Sequence, residues 1–144
     1  MKKYKIAMIQ MNTGDDREAN LNRIKGFIAE AAEQGAKLIA LPEVMNRRTL
    51  DRTIDTSEAL DGPTITFMKK CALEYSVWIH CGSIREANPE GLAYNTAVLL
   101  DNQGETSGIY RKLHLYDVDI PGRVVALESS RNMPGSEVVD LRTE

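Results

Sequence analysis

The sequence predicts a domain of the α/β class, in which helices pack on a sheet that contains parallel strands. Two short apolar runs, 4–11 and 37–41, flank a segment with helical hydrophobic spacing. A second such segment, 63–75, precedes a third apolar run at 77–84. Strands and helices that alternate in this way are typical of βαβ units with parallel strands.

The first βαβ unit is predicted from its apolar pattern and its capping residues. Residues 4–11 are too few for an ordinary helix, so a buried strand is the better interpretation. Asp15 and Glu18 have the spacing of a helix-capping pair, and Gly35 is a natural helix end. Residues 37–41 form the second buried strand, which we expect to run parallel to the first through a right-handed crossover. Four apolar residues at helical spacing form the buried stripe of the helix: Leu21, Ile24, Ile28 and Ala31.

The following segments are predicted to be a loop or short helix, a helix, a strand and a hairpin. The polar stretch 46–58 is the loop or short helix, and Pro63 suits the first position of the helix. Residues 77–84 are predicted to be one strand. Asp101-Asn102-Gln103-Gly104 is a turn sequence between two strand-like runs, 93–100 and 105–111. The second helix has one buried face: Met68, Cys71, Ala72 and Tyr75.

The chain beyond Arg111 is predicted to be a long loop, with a further strand beginning near 138–141. This stretch contains Pro121-Gly122 and Pro134-Gly135, which break regular structure. Long loops in compact domains often carry function.

Composition excludes several classes of function. The formal net charge is −3 and the basic residues are scattered, which argues against a nucleic-acid partner. No apolar run approaches the ~20 residues of a membrane helix, and no signal peptide is evident. We therefore expect a cytoplasmic protein with no membrane partner. Cys71 and Cys81 fit a reducing compartment, and the ligand spacing of a metal site and the glycine-rich loop of a nucleotide cofactor are both missing from the sequence.

Three residues have the chemistry of an active site, although each alone would ordinarily be a solvated side chain. Glu43 directly follows a predicted buried strand, at the sheet edge where α/β proteins bind ligands. A carboxylate held there can act as a general base. Lys112 ends another strand and could stabilise a developing oxyanion. Glu128 lies in the following loop and could form an ion pair with Lys112.

These residues belong to motifs that resemble those of the nitrilase superfamily of carbon–nitrogen hydrolases. The motifs are L-P-E at 41–43, Y-R-K-L-H-L-Y-D at 110–117 and D-x-x-x-P-G at 117–122. Tyr94-Asn95, Glu128-Ser129 and Pro134-Gly135 also match in order. The resemblance extends over the whole chain.

The resemblance implies an αββα sandwich that forms homodimers or larger homo-oligomers, with residues 1–144 as the first half of one domain. It implies a Glu–Lys–Cys triad that hydrolyses small amides. Glu43 is then the general base, Lys112 stabilises the oxyanion, and Glu128 positions the lysine. No cofactor or metal is implied.

The nucleophilic cysteine is expected about ten residues beyond Glu144. Cys71 and Cys81 are predicted to be core residues, so the chain alone is expected to be inactive. The run 117–122 most resembles the ω-amidase and deaminated-glutathione amidase branch, which implies a small amide that carries a carboxylate. Hydrolysis of N-carbamoyl amino acids and a non-catalytic scaffold are the alternatives.

Weaker candidates surround the main three. Arg47 or Arg48 could hold the far carboxylate of a dicarboxylic monoamide, although solvated loop arginines are the simpler interpretation. His114 is interpreted as a loop residue near the site.

Overall fold

The computed structural model describes residues 3–142, and its first elements form the predicted βαβ unit. Strands β1 (Lys5–Met8) and β2 (Ala36–Ala40) pair in parallel, and helix α1 (Arg17–Glu33) connects them. Gly35 follows the helix with a φ of 83°, a left-handed conformation that glycine adopts without a Cβ clash. The chain therefore leaves the helix where the sequence predicts.

The start of α1 differs by one residue from the prediction at Asp15. Asp16 is the N-cap, and its carboxylate accepts a hydrogen bond from the Ala19 amide at 3.0 Å. Asp15 instead forms an ion pair with Arg47 at 2.8 Å. Both aspartates can cap a helix, so tertiary contacts decided between them.

Helix α2 (Pro63–Tyr75) begins at Pro63, as predicted, but the expected strand 77–84 is two strands. These are β3 (Trp78–His80) and β4 (Ile84–Glu86). Gly82 interrupts them with a φ of 57°. A Cβ at Gly82 would lie 1.9 Å from the carbonyl oxygen of Pro42. The prediction of one strand is wrong because the chain must kink here to pass close to the Pro42 backbone.

The predicted hairpin is confirmed, whereas the predicted long loop contains more structure than expected. Strands β5 (Ala93–Leu100) and β6 (Thr106–Arg111) pair antiparallel around a turn. Beyond them lies a second hairpin, whose turn contains Gly122 with a φ of 72°. Residues 138–141 form no strand, contrary to expectation. The elements after β6 are β7 (Asp117–Ile120), β8 (Val124–Leu127), a 3-10 helix (Glu128–Ser130) and β9 (Asn132–Met133).

The main sheet is mixed, with the strand order β1-β2-β3-β5-β4, and β6 and β9 also pair with β5. Strands β1, β2 and β3 are parallel, and β5 runs antiparallel to β3 and β6. The N-terminal half of β5 therefore lies at the edge where β2, β3 and β6 end. This edge carries the candidate site.

Helices α1 and α2 cover one face of the sheet, and the opposite face is partly open. On the open face, Ile6 is 50% exposed and Met8 is 87% exposed. The prediction that the first strand is buried is therefore wrong, because only one face of β1 packs against the core, through Ala7 and, just beyond the strand, Ile9. In residues 3–142, no helix has the length and apolar character needed to cross a membrane. The covered face forms the core with side chains that include Ile24, Ile28, Ile39, Met68, Ile79, Val98 and Leu100.

Candidate active site

Glu43 is positioned by a strained segment that follows β2. The Leu41 amide donates to the His80 carbonyl at 3.0 Å, which continues the sheet pairing beyond the end of β2. Val44 then adopts a φ of 51°, an unusual conformation for a β-branched residue. Its amide donates to Ser83 Oγ at 2.9 Å, and the Met45 amide donates to the Ser83 carbonyl at 3.0 Å. Ser83 thus holds a backbone conformation that would otherwise cost about 1–3 kcal/mol.

A buried polar cluster anchors the chain just after this segment. Asn46 Nδ2 donates to Glu58 Oε1 at 2.5 Å and to Thr64 Oγ1 at 3.2 Å. Glu58 Oε2 accepts from the Thr64 amide at 2.9 Å, and Asn20 Nδ2 donates to the Asn46 carbonyl at 2.9 Å. Because these groups are mutually satisfied, they fix the exit path of the chain from Glu43. This cluster was not predicted from the sequence.

Lys112 is positioned by the end of β6. Its amide donates to the Asn95 carbonyl at 2.9 Å, and its own carbonyl accepts from the Gly135 amide at 2.9 Å. The neighbouring Arg111 contacts the buried Glu86 through two hydrogen bonds, from Nε at 2.7 Å and from Nη2 at 2.5 Å. A two-pronged contact of this kind orients the strand as well as attracting charge. The Lys112 backbone and the Arg111 side chain are therefore both held in place at the end of β6.

The structure brings the three predicted site residues together. Lys112 Nζ lies 2.9 Å from Glu43 Oε1 and 2.9 Å from Glu128 Oε2. Asn95 Nδ2 donates to Glu43 Oε1 at 2.7 Å and to Glu128 Oε1 at 3.1 Å. The Lys112 ammonium and the Asn95 side-chain amide therefore bridge the carboxylates of Glu43 and Glu128, which come from different segments of the chain.

Glu128 has the most strongly shifted ionisation in this cluster. Burial by itself raises its pKa, but a hydrogen bond from the Tyr116 amide at 2.7 Å and bonds from Lys112, Asn95 and Asn132 outweigh burial. The net pKa is about 2, so Glu128 is a permanent anion at neutral pH. Burial likewise lowers the pKa of Lys112, but its bonds to Glu43 and Glu128 bring the net pKa above its ordinary value. The lysine therefore remains a cation.

Glu43, Asn95 and Lys112 line an open cavity of about 350 Å³ at the carboxyl edge of the sheet. The side chain of Glu43 is 60% exposed, whereas those of Lys112 and Glu128 are 27% and 15% exposed. Glu43 is thus the carboxylate that a molecule in the cavity can reach. The other lining residues include Leu41, His80, Ser83, Ala97 and Tyr110.

Neither cysteine of the chain lies at this cavity. Cys71 is buried on α2 and Cys81 is buried after β3, as predicted. Burial raises the pKa of the Cys71 thiol to about 11 and raises that of Cys81 further. A thiol must ionise to act as a nucleophile, so both are core residues.

The weaker candidates lie in different surroundings. Arg47 is occupied by Asp15, which argues against its suggested role as a carboxylate ligand. Arg48 and Arg131 line a second cavity that adjoins Glu43 and Lys112. His114 is exposed and lines neither of the two cavities.

Among residues 3–142, no group of three histidine, cysteine or acidic side chains is arranged to hold a metal ion.

Two asparagines contribute to the site without having been assigned a role from the sequence. Asn95 is 5% exposed on β5, and Asn132 Nδ2 donates to Glu128 Oε1 at 3.1 Å. The available signals for Asn95 were the Tyr94-Asn95 motif and a polar side chain in a largely apolar strand, since buried amides need partners. Asn132 gave no such signal.

A carboxylate, a cation and a second carboxylate thus meet at one sheet edge, which is the arrangement that the resemblance to carbon–nitrogen hydrolases implies. The sequence profile of the carbon-nitrogen hydrolase family matches residues 5–143, so the chain belongs to this family. Nitrilase homolog 2 of Dictyostelium discoideum is 37% identical over 97% of this chain and 44% of its own length. The human omega-amidase NIT2 is 34% identical over 94% of this chain and 49% of its own length.

Solved structures give the same result for the fold. The Caenorhabditis elegans NitFhit protein superposes with a TM-score of 0.84 at 30% identity, over 93% of this chain and 34% of that chain. Saccharomyces cerevisiae Nit3, a member of the nitrilase superfamily, superposes with a TM-score of 0.80 at 26% identity, over 98% and 52%. The predicted α/β class and family are thereby confirmed. The chain spans about half the length of the curated relatives it matches.

Proposed function

We propose that the complete enzyme, to which this chain contributes Glu43, Lys112 and Glu128, hydrolyses a small carboxylate-bearing amide to an acid and ammonia. The observation that carries the proposal is the position of Lys112 Nζ, 2.9 Å from a carboxylate oxygen of each glutamate. Membership of the carbon–nitrogen hydrolase family supports the reaction class. Relatives named omega-amidase, at about one third identity, support the substrate class.

In the proposed reaction, Glu43 acts as the general base toward a cysteine thiol. The sulfur attacks the amide carbon, and the Lys112 ammonium stabilises the negative charge that develops on the carbonyl oxygen. The C–N bond then breaks, and ammonia leaves with the proton that Glu43 took from the thiol. A water molecule deprotonated by Glu43 attacks the thioester, which releases the acid and restores the thiol.

Glu128 and Asn95 have supporting roles in this proposal. With a pKa of about 2, Glu128 keeps a fixed negative charge beside Lys112 and thus holds the lysine protonated. Asn95 orients Glu43 through its hydrogen bond at 2.7 Å. Preorganised groups of this kind need no rearrangement when charge develops on the substrate.

We place the nucleophilic cysteine in the segment that follows Glu144 in the complete enzyme. The burial of Cys71 and Cys81 and their raised thiol pKa values support this placement. Residues 1–144 are then one part of a single catalytic domain, and this part alone is inactive.

The test compares the product of the complete reading frame with the chain of residues 1–144. We expect the complete enzyme to release ammonia from glutaramate, the monoamide of glutaric acid, faster than it hydrolyses an N-carbamoyl amino acid. Glu43→Gln should lower kcat/KM by about 10³-fold and Lys112→Met by about 10²- to 10³-fold. Glu33→Gln, at an exposed position on α1, is the matched control and should leave kcat/KM unchanged.

Two results would overturn the proposal. A complete enzyme that hydrolyses no amide would exclude the reaction, and would favour a non-catalytic scaffold instead. Thioester formation on Cys71 or Cys81, detected by mass spectrometry after rapid quenching, would show that the nucleophile is wrongly placed.

We further propose a cellular compartment and an oligomeric state for the complete enzyme. Both cysteines are free thiols in the structure, which suits a reducing compartment such as the cytoplasm. Exposed apolar side chains on β1 support association of subunits into a homodimer or a larger homo-oligomer. Light scattering on the complete enzyme tests this association of subunits.

A further inference from the structure

A second cavity, of about 420 Å³, adjoins the candidate catalytic cluster and is rich in arginine. Glu43, Asn95 and Lys112 line both this cavity and the first one, so the two adjoin at these side chains. Its remaining wall is formed by the loop after Glu43 and by residues around Glu128. Five arginines line it: Arg47, Arg48, Arg52, Arg85 and Arg131.

Two of the five arginines hold the loop in place. Arg47 Nε lies 2.8 Å from Asp15, and Arg85 Nη1 lies 3.0 Å from Asp55. The Arg48 amide also donates to the Gly14 carbonyl at 2.9 Å, which fixes the backbone between these anchors. The arginines in this segment are therefore presented from a loop that is tied down at both ends.

The other three arginines lack an acidic partner. Within residues 3–142, no carboxylate oxygen lies within 4.0 Å of the guanidinium nitrogens of Arg48, Arg52 or Arg131. The carboxylates of the cavity itself, Glu43 and Glu128, are already bonded to Lys112. The cavity thus has an excess of positive charge next to the reacting groups.

A surplus of this kind would be unremarkable on an open surface, where loop arginines are solvated and contribute little. Here the three side chains line one concavity, and concave walls focus the electric field and raise the local concentration of anions. A planar guanidinium also matches a carboxylate through two parallel hydrogen bonds.

We propose that Arg48, Arg52 and Arg131 form the subsite that binds the carboxylate at the far end of the substrate, away from the amide that reacts. This inference rests on the proposed amidase function and assigns its substrate selectivity to named residues. Arg131 follows the 3-10 helix that begins at Glu128, and Arg48 follows Glu43 by five residues. The subsite is therefore built from the same two segments of the chain that carry Glu43 and Glu128.

The kinetic test uses the complete enzyme and two amides of equal length. Glutaramate carries a distal carboxylate, whereas pentanamide carries none. In the double variant Arg48→Gln/Arg131→Gln, we expect kcat/KM for glutaramate to fall by about 100-fold, since the distal carboxylate loses its hydrogen bonds to two charged guanidinium groups. The value for pentanamide should change by less than about 3-fold. Arg123→Gln, in the exposed turn between β7 and β8 and outside the cavity, is the matched control and should change neither value.

A binding measurement separates this inference from the proposed reaction. By titration calorimetry, the wild-type enzyme should bind glutarate at least about 10-fold more tightly than pentanoate, which lacks the second carboxylate. The double variant should lose this preference. Equal binding of both acids by the wild type, or equal losses for glutaramate and pentanamide in the variant, would overturn the arginine subsite. Preferential glutarate binding without hydrolysis of any amide would leave the subsite standing and refute the reaction.

Discussion

Asn95 is the residue on which the geometry of the candidate site most depends. It is buried on β5 and donates to both glutamates, at 2.7 Å to Glu43 and 3.1 Å to Glu128. Its main-chain carbonyl also accepts a hydrogen bond from the Lys112 main-chain amide at 2.9 Å. A single strand residue thus sets the positions of all three charged groups.

We predict that Asn95→Ala lowers kcat/KM of the complete enzyme by about 10- to 100-fold, because hydrogen bonds to charged groups contribute about 1.5–3 kcal/mol. The loss should lie mainly in kcat, since Asn95 orients Glu43 and is not proposed to bind the substrate. Steady-state kinetics check this expectation. Asn102→Ala, in the exposed β5–β6 turn, is the control. A change in KM alone would contradict the orienting role.

Glu128 should make the stability of the protein depend on pH in acid. Its pKa is about 2 in the folded state and about 4.5 when the chain is unfolded. Between these values the unfolded state binds more protons, so the stabilisation is complete above about pH 5 and is lost as the pH falls through 2. The contribution is at most about 3 kcal/mol.

The measurement uses the complete enzyme and compares urea unfolding of the wild type and Glu128→Gln from pH 7 to pH 2.5. The wild type should lose more free energy of unfolding over this range than the variant does. Glu105→Gln, at an exposed position, serves as the control and should follow the wild type. Parallel pH profiles for wild type and Glu128→Gln would show that Glu128 is not held as an anion.

At the scale of elements, the end of β2 and the start of β4 form one packed unit beneath the site. Gly82 lies against the Pro42 carbonyl, and Ser83 holds the strained Val44 on the other side of Glu43. The position of Glu43 therefore depends on a neighbouring chain segment as much as on its own strand.

We predict that Gly82→Ala destabilises the protein by at least about 2–3 kcal/mol, because the left-handed backbone disfavours a side chain and the Cβ would overlap the Pro42 carbonyl. Urea unfolding of the complete enzyme measures the loss. The control is Gly26→Ala in α1, where no atom lies within 4 Å of the added Cβ. That change should stabilise by about 0.5–1 kcal/mol. Equal effects of the two substitutions would refute the close-packing argument.

At the scale of the whole molecule, the charged cluster and the open apolar face lie on different parts of one sheet. Helices α1 and α2 cover the face that contains Ile39 and Ile79. On the other face, Ile6, Leu38 and Trp78 are neighbours across β1, β2 and β3, as the strand register shows. Exposed apolar areas of this kind promote association.

We predict that the chain of residues 1–144 self-associates and lacks a clean monomeric unfolding transition. Met8→Lys, at an 87% exposed position on this face, should shift the chain toward the monomer. Sedimentation velocity at several concentrations checks the shift. Leu50→Lys, at a 98% exposed position in the loop that follows Glu43, is the control and should have no effect. A cooperative monomer of the unaltered chain would contradict the prediction.

Local patterns in the sequence determined most of the elements and indicated the main candidate site residues. Apolar spacing located α1, α2 and β2, because burial of one face is a property of neighbouring residues in the chain. The turn sequence at 101–104 located the β5–β6 hairpin. The motifs around Glu43, Lys112 and Glu128 indicated the family, and the placement of these residues in one cluster agrees with that prediction.

Only the tertiary structure decided what depends on distant parts of the chain. Glu43 and Lys112 are 69 positions apart and meet because β5 runs antiparallel to both β3 and β6. The break at Gly82 and the pairing of Asp15 with Arg47 also arise from segments that meet only on folding. Contacts of the same kind give Arg47 and Arg85 their acidic partners in the described part of the chain and leave the other arginines of the second cavity without one. Contacts between remote residues leave no periodic trace in the sequence, so the fold had to supply them.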